Sequence, residues 1–276
     1  MKMNAIGHVK LNQPGGRQKG RSGSARASRR RMEVWLSIVS PLALLAIWEL
    51  VGLFRLMDLR YFPRPSTIGI SLWSLLLGDL WLDFQASFLR IFCGFLLGSV
   101  PALVLGVVMG LSRPIRFALN PIVYSTYPIP KIAVLPLIIL IFGLGEMSKI
   151  VVVAIGAFYL VLINTIAGVI SIDTIYFDVA KNFCLHRRDL YLRVILPAAL
   201  PMMIAGLKLA LGVSLLLIVA AEMLGADHGI GHMIWDSWQT FNVPRMYGGL
   251  IIISALGYLL SVIADYIERS LLPWRD

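Results

Sequence analysis

Among the ionisable side chains that lie inside long apolar runs of this sequence are Lys131, Lys208 and Glu222. Taking such a group to membrane depth costs roughly 2.5–3.5 kcal/mol on insertion scales, so each is a candidate for moving a solute or an ion. The two lysines would attract an anion, aided by helix N-termini freed where prolines break a span. Alternatively they snorkel to an interface or pair with an acid such as Glu222. Glu222 itself reads better as holding an outer gate or capping a neighbouring helix. His228-Gly229-Ile230-Gly231-His232, with Asp227 and Asp236 nearby, offers ligand types four residues apart. Two glycines argue against the helix that would aim both at one metal, and the Glu of an H-E-x-x-H pattern is missing, so an exposed outer loop without metal is expected. No histidine falls in an apolar run and Cys93 has no candidate base in sequence. The residues therefore point away from an enzyme.

Those side chains need an apolar scaffold to position them. The 276 residues are 58% hydrophobic and 14% charged, whereas soluble domains run nearer half and a quarter. A hydrocarbon core about 30 Å thick takes about 20 apolar residues per helical span. Six candidate spans fall at 34–54, 86–110, 117–142, 150–172, 199–224 and 246–267. The expected fold is an all-α, polytopic transmembrane bundle. The third span contains Pro121, Pro128, Pro130 and Pro136. Prolines at that depth are tolerated where protein or a water-filled path covers the freed carbonyls, so Pro128, Pro130 and Lys131 are candidate lining of a path. Gly94, Gly98, Ala102, Gly106 and Gly110 recur every fourth residue in the second span, a stripe that lets another backbone come close.

Net charge is +10, yet nine of the 25 basic residues fall in the first 31 positions, leaving a nearly neutral body. Residues 1–33, basic and rich in Gly and Ser, are expected to be a disordered cytoplasmic tail. Without interleaved aromatics, and adjoining a span, the tail is not read as a nucleic-acid binder. Six spans put 17 basic residues on the tail's side and five on the other, which orients the N-terminus inward. Cys93 and Cys184 give no disulfide framework and read as free thiols.

Between the fourth and fifth spans, residues 173–198 form the one sizeable polar connection. Ile175, Val179 and Phe183 recur at i, i+4 and i+8, and Asp173 is placed to cap the start. Such a short amphipathic helix suits docking of a soluble partner, or alternatively lies on lipid headgroups. Pro197 then sets the start of the next span.

Here the residues resemble a family. Asp178-Val179-Ala180, then Cys184, then Val194-x-Leu196-Pro197 follows the spacing of the EAA---G---------I-LP loop of binding-protein-dependent ABC importer permeases. Tyr127-Pro128-Ile129-Pro130, Phe142-Gly143-Leu144-Gly145-Glu146, Lys149, Ala221-Glu222 and Gly229-Ile230-Gly231 are similar to the nitrate/sulfonate/taurine/bicarbonate branch. The resemblance covers about residues 35–272. It implies a MetI-like type I fold over 34–272, and an ATPase-coupling loop comprising Asp178, Val179, Ala180, Cys184, Leu185, His186, Arg187, Val194, Leu196 and Pro197. It also implies two cytoplasmic ATPase subunits that bind ATP and Mg, a periplasmic or lipid-anchored binding protein, a second permease copy, and a place among the lipids of a bacterial inner membrane. The chain has no Gly-Lys dipeptide and hence no phosphate loop, so it is expected to bind no cofactor itself. An organosulfonate or taurine is the first expectation for the solute, nitrate or bicarbonate the second. The rival class is an ATP-independent secondary transporter using Lys131, Lys208 and Glu222. Asp178, Val179 and Cys184 stand where the pattern has Glu, Ala and Gly. Glycine reaches φ > 0 at little cost and cysteine does not, so the expectation is that either the turn is made differently here or the loop is modified.

Overall fold

The computed structural model describes residues 21–78 and 80–274, whose regular structure is helical throughout. They fall into two units, Met1–Leu59 and Arg60–Asp276. The first contains α1 (Arg21–Leu53), whose stretch Trp35–Leu53 has a mean hydropathy of 2.0. The helix begins at Arg21, so residues 21–33 are helical rather than disordered as expected. An apolar span supplies the costly nucleus, and Arg and Ala, both good helix formers, let it propagate outward. Residues 1–20, the rest of the expected tail, lie outside the described residues.

The second unit is built on three long helices, α3 (Leu80–Leu111), α6 (Glu146–Ile170) and α9 (Leu196–Gly225). The small-residue stripe of α3 faces α6. A Cβ at Gly98 would lie 2.1 Å from the Ala154 carbonyl oxygen, and one at Gly94 2.8 Å from that of Ile150. Side chains fill the remaining space in three stacked clusters, around Val153 and Ile218, around Leu162 and Ala210, and around Val169 and Met203.

The proline-rich segment is a broken element. α4 (Arg113–Thr126) and α5 (Lys131–Phe142) meet at 95°. Pro121 and Pro136 are accommodated inside these helices, and the break falls at Pro128 and Pro130, which have no N–H with which to continue the helical hydrogen bonds, although Tyr127 before them still has helical angles. Among the described residues, five helices are long and apolar enough to span a membrane, and six spans result if the bent pair counts as one.

Short helices complete the unit: α2 (Pro65–Leu77), α7 (Thr174–Asn182), α8 (Arg187–Asp189) and α10 (Ile230–Gln239), followed by the long α11 (Val243–Leu271). A π turn, Leu190–Ile195, joins α8 to α9 without a break. The segment expected to be an outer loop is therefore partly α10. Gly229, at φ 135°, makes the turn before that helix rather than interrupting it. Gly231 lies where a Cβ would come within 2.5 Å of the Val219 carbonyl oxygen, so it admits α10 against α9. Val219 is six residues from the end of α9, so α10 dips about 9 Å below that end.

Candidate functional site

At one end of the bundle α7 stands out with an apolar surface unmatched by the protein. Asp173 caps it, its side chain accepting from the Ile175 N–H at 3.0 Å. Ala180 is turned inward and buried, while Ile175, Tyr176, Val179 and Phe183 are exposed, Phe183 to 77%. Asp178 and His186 are exposed as well. The chain then reverses in a tight turn in which Phe183, Cys184 and Leu185 donate backbone hydrogen bonds to Val179, Lys181 and Ala180. Cys184 makes this turn at φ 50°, the left-handed conformation for which glycine is suited. The expectation that cysteine would force a different turn is thus corrected: the geometry is kept and the cysteine carries the strain. Val194 and Pro197 are half-buried on the π turn and the first turn of α9, beside the exposed Leu196.

At the opposite end a buried polar cluster ties together four elements. Glu222 on α9 is 0% exposed. Its carboxylate accepts from Ser87 Oγ at 2.8 and 2.9 Å, from Arg90 Nη1 at 2.8 Å and from the Gly231 N–H at 2.9 Å. Arg90, 4% exposed, also donates from Nη1 to the His228 carbonyl at 2.7 Å. Its Nε and Nη2 donate to the two oxygens of Glu146 at 2.5 and 2.6 Å. The amides opening α10 are each met: Gly229 by Asp83, Ile230 by Ser87 and Gly231 by Glu222. Those amides are the orphan donors of a helix start, so Glu222 caps a neighbouring helix, as its sequence suggested. A Cβ at Gly229 would sit 2.4 Å from the Glu222 carboxyl carbon, which leaves the position to glycine.

The embedded lysines do not meet each other or Glu222. Lys131 turns back across the break, donating to the Thr126 and Tyr127 carbonyls, both at 3.0 Å, with its amine 4.3 Å from the centre of the Tyr159 ring. A cation is favoured at those carbonyls, because they are the negative end of α4. Lys208 lies between Asp265, at 2.5 Å, and Glu268 on α11. Its charge is met by two carboxylates, so the reading of Lys208 as an attractor of anions is corrected to a tie between α9 and α11. Lys149 is buried in the first turn of α6 and donates to the Leu144 carbonyl at 3.1 Å.

The family model of the binding-protein-dependent transport system inner membrane component matches residues 102–273, well over half of the chain. The chain belongs to that family. Among its relatives, the SsuC permease of Bacillus subtilis (strain 168), assigned to aliphatic sulfonates transport, is 36% identical over 88% of this chain and 88% of its own length. The taurine transport system permease protein TauC of Escherichia coli (strain K12) is 31% identical over 88% of this chain and 90% of its own. The nitrate import permease protein NrtB of Leptolyngbya laminosa is 31% identical, covering 83% and 86%. The chain is therefore an ABC importer permease of the sulfonate/taurine/nitrate branch. An inward-facing structure of the MetNI methionine ABC transporter shares the fold, with a TM-score of 0.61 at 22% identity over 70% of this chain and 97% of that one.

In this permease the strained turn is open to test. A non-glycine residue in the left-handed region costs about 1–2 kcal/mol. Cys184→Gly is expected to raise stability by about 1 kcal/mol, and the β-branched Cys184→Val to lower it, as read from thermal unfolding in detergent. Equal midpoints for the three proteins would show the turn to be unstrained. The sequence left Arg90 without a role and missed Ser87 and Asp83. The signal for Arg90 was present, since an arginine inside an apolar run needs a partner at membrane depth.

Proposed function

We propose that the permease forms the path by which a small anionic or zwitterionic solute, an organosulfonate or taurine first and nitrate or bicarbonate second, enters a bacterial cell. ATP is hydrolysed in two separate cytoplasmic subunits that dock on α7, and a binding protein delivers the solute to the opposite face. A second permease copy completes the path, and the N-terminus lies on the cytoplasmic side with α7. The observation that carries this reading is the capped α7 with Ile175, Val179 and Phe183 exposed beside the Cys184 turn. An exposed apolar patch of that kind supports docking of a soluble partner. The family's description and the names of its sulfonate, taurine and nitrate relatives support the importer and the solute class. Pro128, Pro130 and Lys131 at the α4–α5 break are the proposed lining of the path. Glu222 acts by holding α10.

The coupling loop is tested by Asp178→Lys and Phe183→Asp. Both residues are exposed, so insertion into the membrane should be unchanged. The tagged variants are expected to lose an ATPase subunit that the unaltered permease retains in mild detergent, and to lose uptake with it. Normal uptake by either variant removes α7 from the coupling role. A permease that purifies alone, with no ATPase activity, would favour the ATP-independent transporter.

A further inference from the structure

The polar cluster at the end opposite α7 has two unequal arms. Arg90 Nη1 is committed inward, to Glu222 and to the His228 carbonyl. The Nε–Nη2 edge of the same guanidinium holds Glu146, which is 61% exposed although Arg90 itself is buried. Lys149, also buried, stands beside that carboxylate with its Nζ 3.7 Å from Oε1, and its hydrogen bonds go to the carbonyls of Leu144 and Gly145. Glu146 opens α6, whose N-cap, Gly145, has no side chain to accept from the first amides. An anion at that place is favoured by the helix end as well. Residues 141–147 are exposed, and a Cβ at Gly143 or Gly145 would meet nothing within 4 Å, so the approach to Glu146 is open.

Two buried cations thus converge on one exposed carboxylate. A carboxylate with a solvated face leaves an ion pair readily, whereas both cations are fixed by other partners and stay behind. We propose that the Nε–Nη2 edge of Arg90, Lys149 and the first turn of α6 form an entry site for the oxyanion group of the solute, and that Glu146 occupies this site until the solute arrives. The proposal rests on the reading of the solute as a sulfonate, nitrate or bicarbonate, and adds where it is first held. Each of those groups presents two oxygens on one atom, as the Glu146 carboxylate does, and so matches the bidentate edge of an arginine. Chloride, a single sphere, does not. Glu146 then turns to water, while Glu222 keeps Arg90 in place and α10 capped. Because both cations lie beneath Glu146, the arriving group must fit the space of one carboxylate, which favours a small solute over a side chain of the binding protein.

The test uses the full chain purified in detergent without the binding protein. Glu146→Ala removes the resident carboxylate and leaves both cations. By isothermal titration calorimetry it is expected to bind ethanesulfonate and nitrate about fivefold more tightly than the unaltered protein, the equivalent of the exposed ion pair that no longer has to be displaced. Lys149→Met in the Glu146→Ala background should cancel the gain. Should that double variant fail to fold, hydrogen exchange on Glu146→Ala decides, since ethanesulfonate and not chloride is expected to slow the amides of 146–149. Equal affinity of the unaltered protein and Glu146→Ala, a gain shared by chloride, a gain that persists without Lys149, or protection elsewhere in the bundle would each overturn the proposal. So would a Glu146→Ala protein that binds neither anion yet no longer captures the binding protein, which would give the arginine edge to a carboxylate of that partner. Uptake by the unaltered importer separates the two readings. If it takes up a sulfonate, taurine or nitrate while Glu146→Ala gains no affinity, the entry site alone is refuted; if it takes up none of them, the solute class is refuted and the entry site with it.

Discussion

Arg90→Met is expected to lower the stability of the permease in detergent by about 3–5 kcal/mol, the cost of leaving one member of a buried ion pair alone. Met is close to Arg in length and fits an apolar surround, so the loss comes from charge and hydrogen bonds rather than from volume. Without Arg90, Glu222 keeps Ser87 and the Gly231 amide but has no cation, and the His228 carbonyl loses its donor. Glu146 is 61% exposed and can turn to water. The buried arm therefore dominates, since exposed pairs contribute about 0–1 kcal/mol. Glu222→Gln in the same background removes the stranded charge. The double variant Arg90→Met/Glu222→Gln should thus be more stable than the sum of the two single losses predicts, as thermal and denaturant unfolding would reveal. Simple additivity would mean that the two residues do not act as a pair.

Gly98→Ala is expected to be nearly as harmful, although it adds a single methyl group. Its Cβ would meet the Ala154 carbonyl oxygen at 2.1 Å, and both atoms belong to long helices that are also held together at Gly94, Gly106 and Gly110. No flexible side chain can move aside, so α3 and α6 must separate along the whole stripe. Overpacking of this kind costs about 1–3 kcal/mol, and with backbone on both sides the upper end is expected. Gly212→Ala on α9 is the control, because a Cβ there meets nothing within 4 Å. Its stability should hold or rise slightly, alanine being the better helix former. A Gly98→Ala protein as stable as Gly212→Ala would show that the two backbones are not in contact.

The parts of this molecule that were legible in its sequence are those written in local periodicity. Apolar runs of membrane length located the spans, the i, i+4, i+8 pattern located α7, and Asp173 was recognisable as its cap. The stripe on α3 announced a close neighbour without saying which, because small residues specify a distance and not a partner. Arg90 and Glu222 were both visible as embedded charges. They are 132 positions apart, and only the folded bundle assigns one to the other. Lys208 misled for the same reason, since its two acids lie on another helix. The two glycines of 229–231 misled differently. Propensity counts them against a helix, whereas here one forms the turn before α10 and the other permits its packing, and the tertiary gain exceeds the cost of about 1 kcal/mol for a glycine within a helix.

The π turn at Leu190–Ile195 has a consequence for the direction in which the coupling loop points. A π turn accommodates more residues per turn than an α-helix, and one residue corresponds to about 100° of rotation at 3.6 residues per turn. The turn therefore sets an azimuth: it rotates α7 and the Cys184 bend about the axis of α9 while the bundle beyond Leu196 keeps its register. Permeases with the same spans could present the same docking helix to differently arranged ATPases by gaining or losing a single residue here, a change of phase rather than of sequence motif.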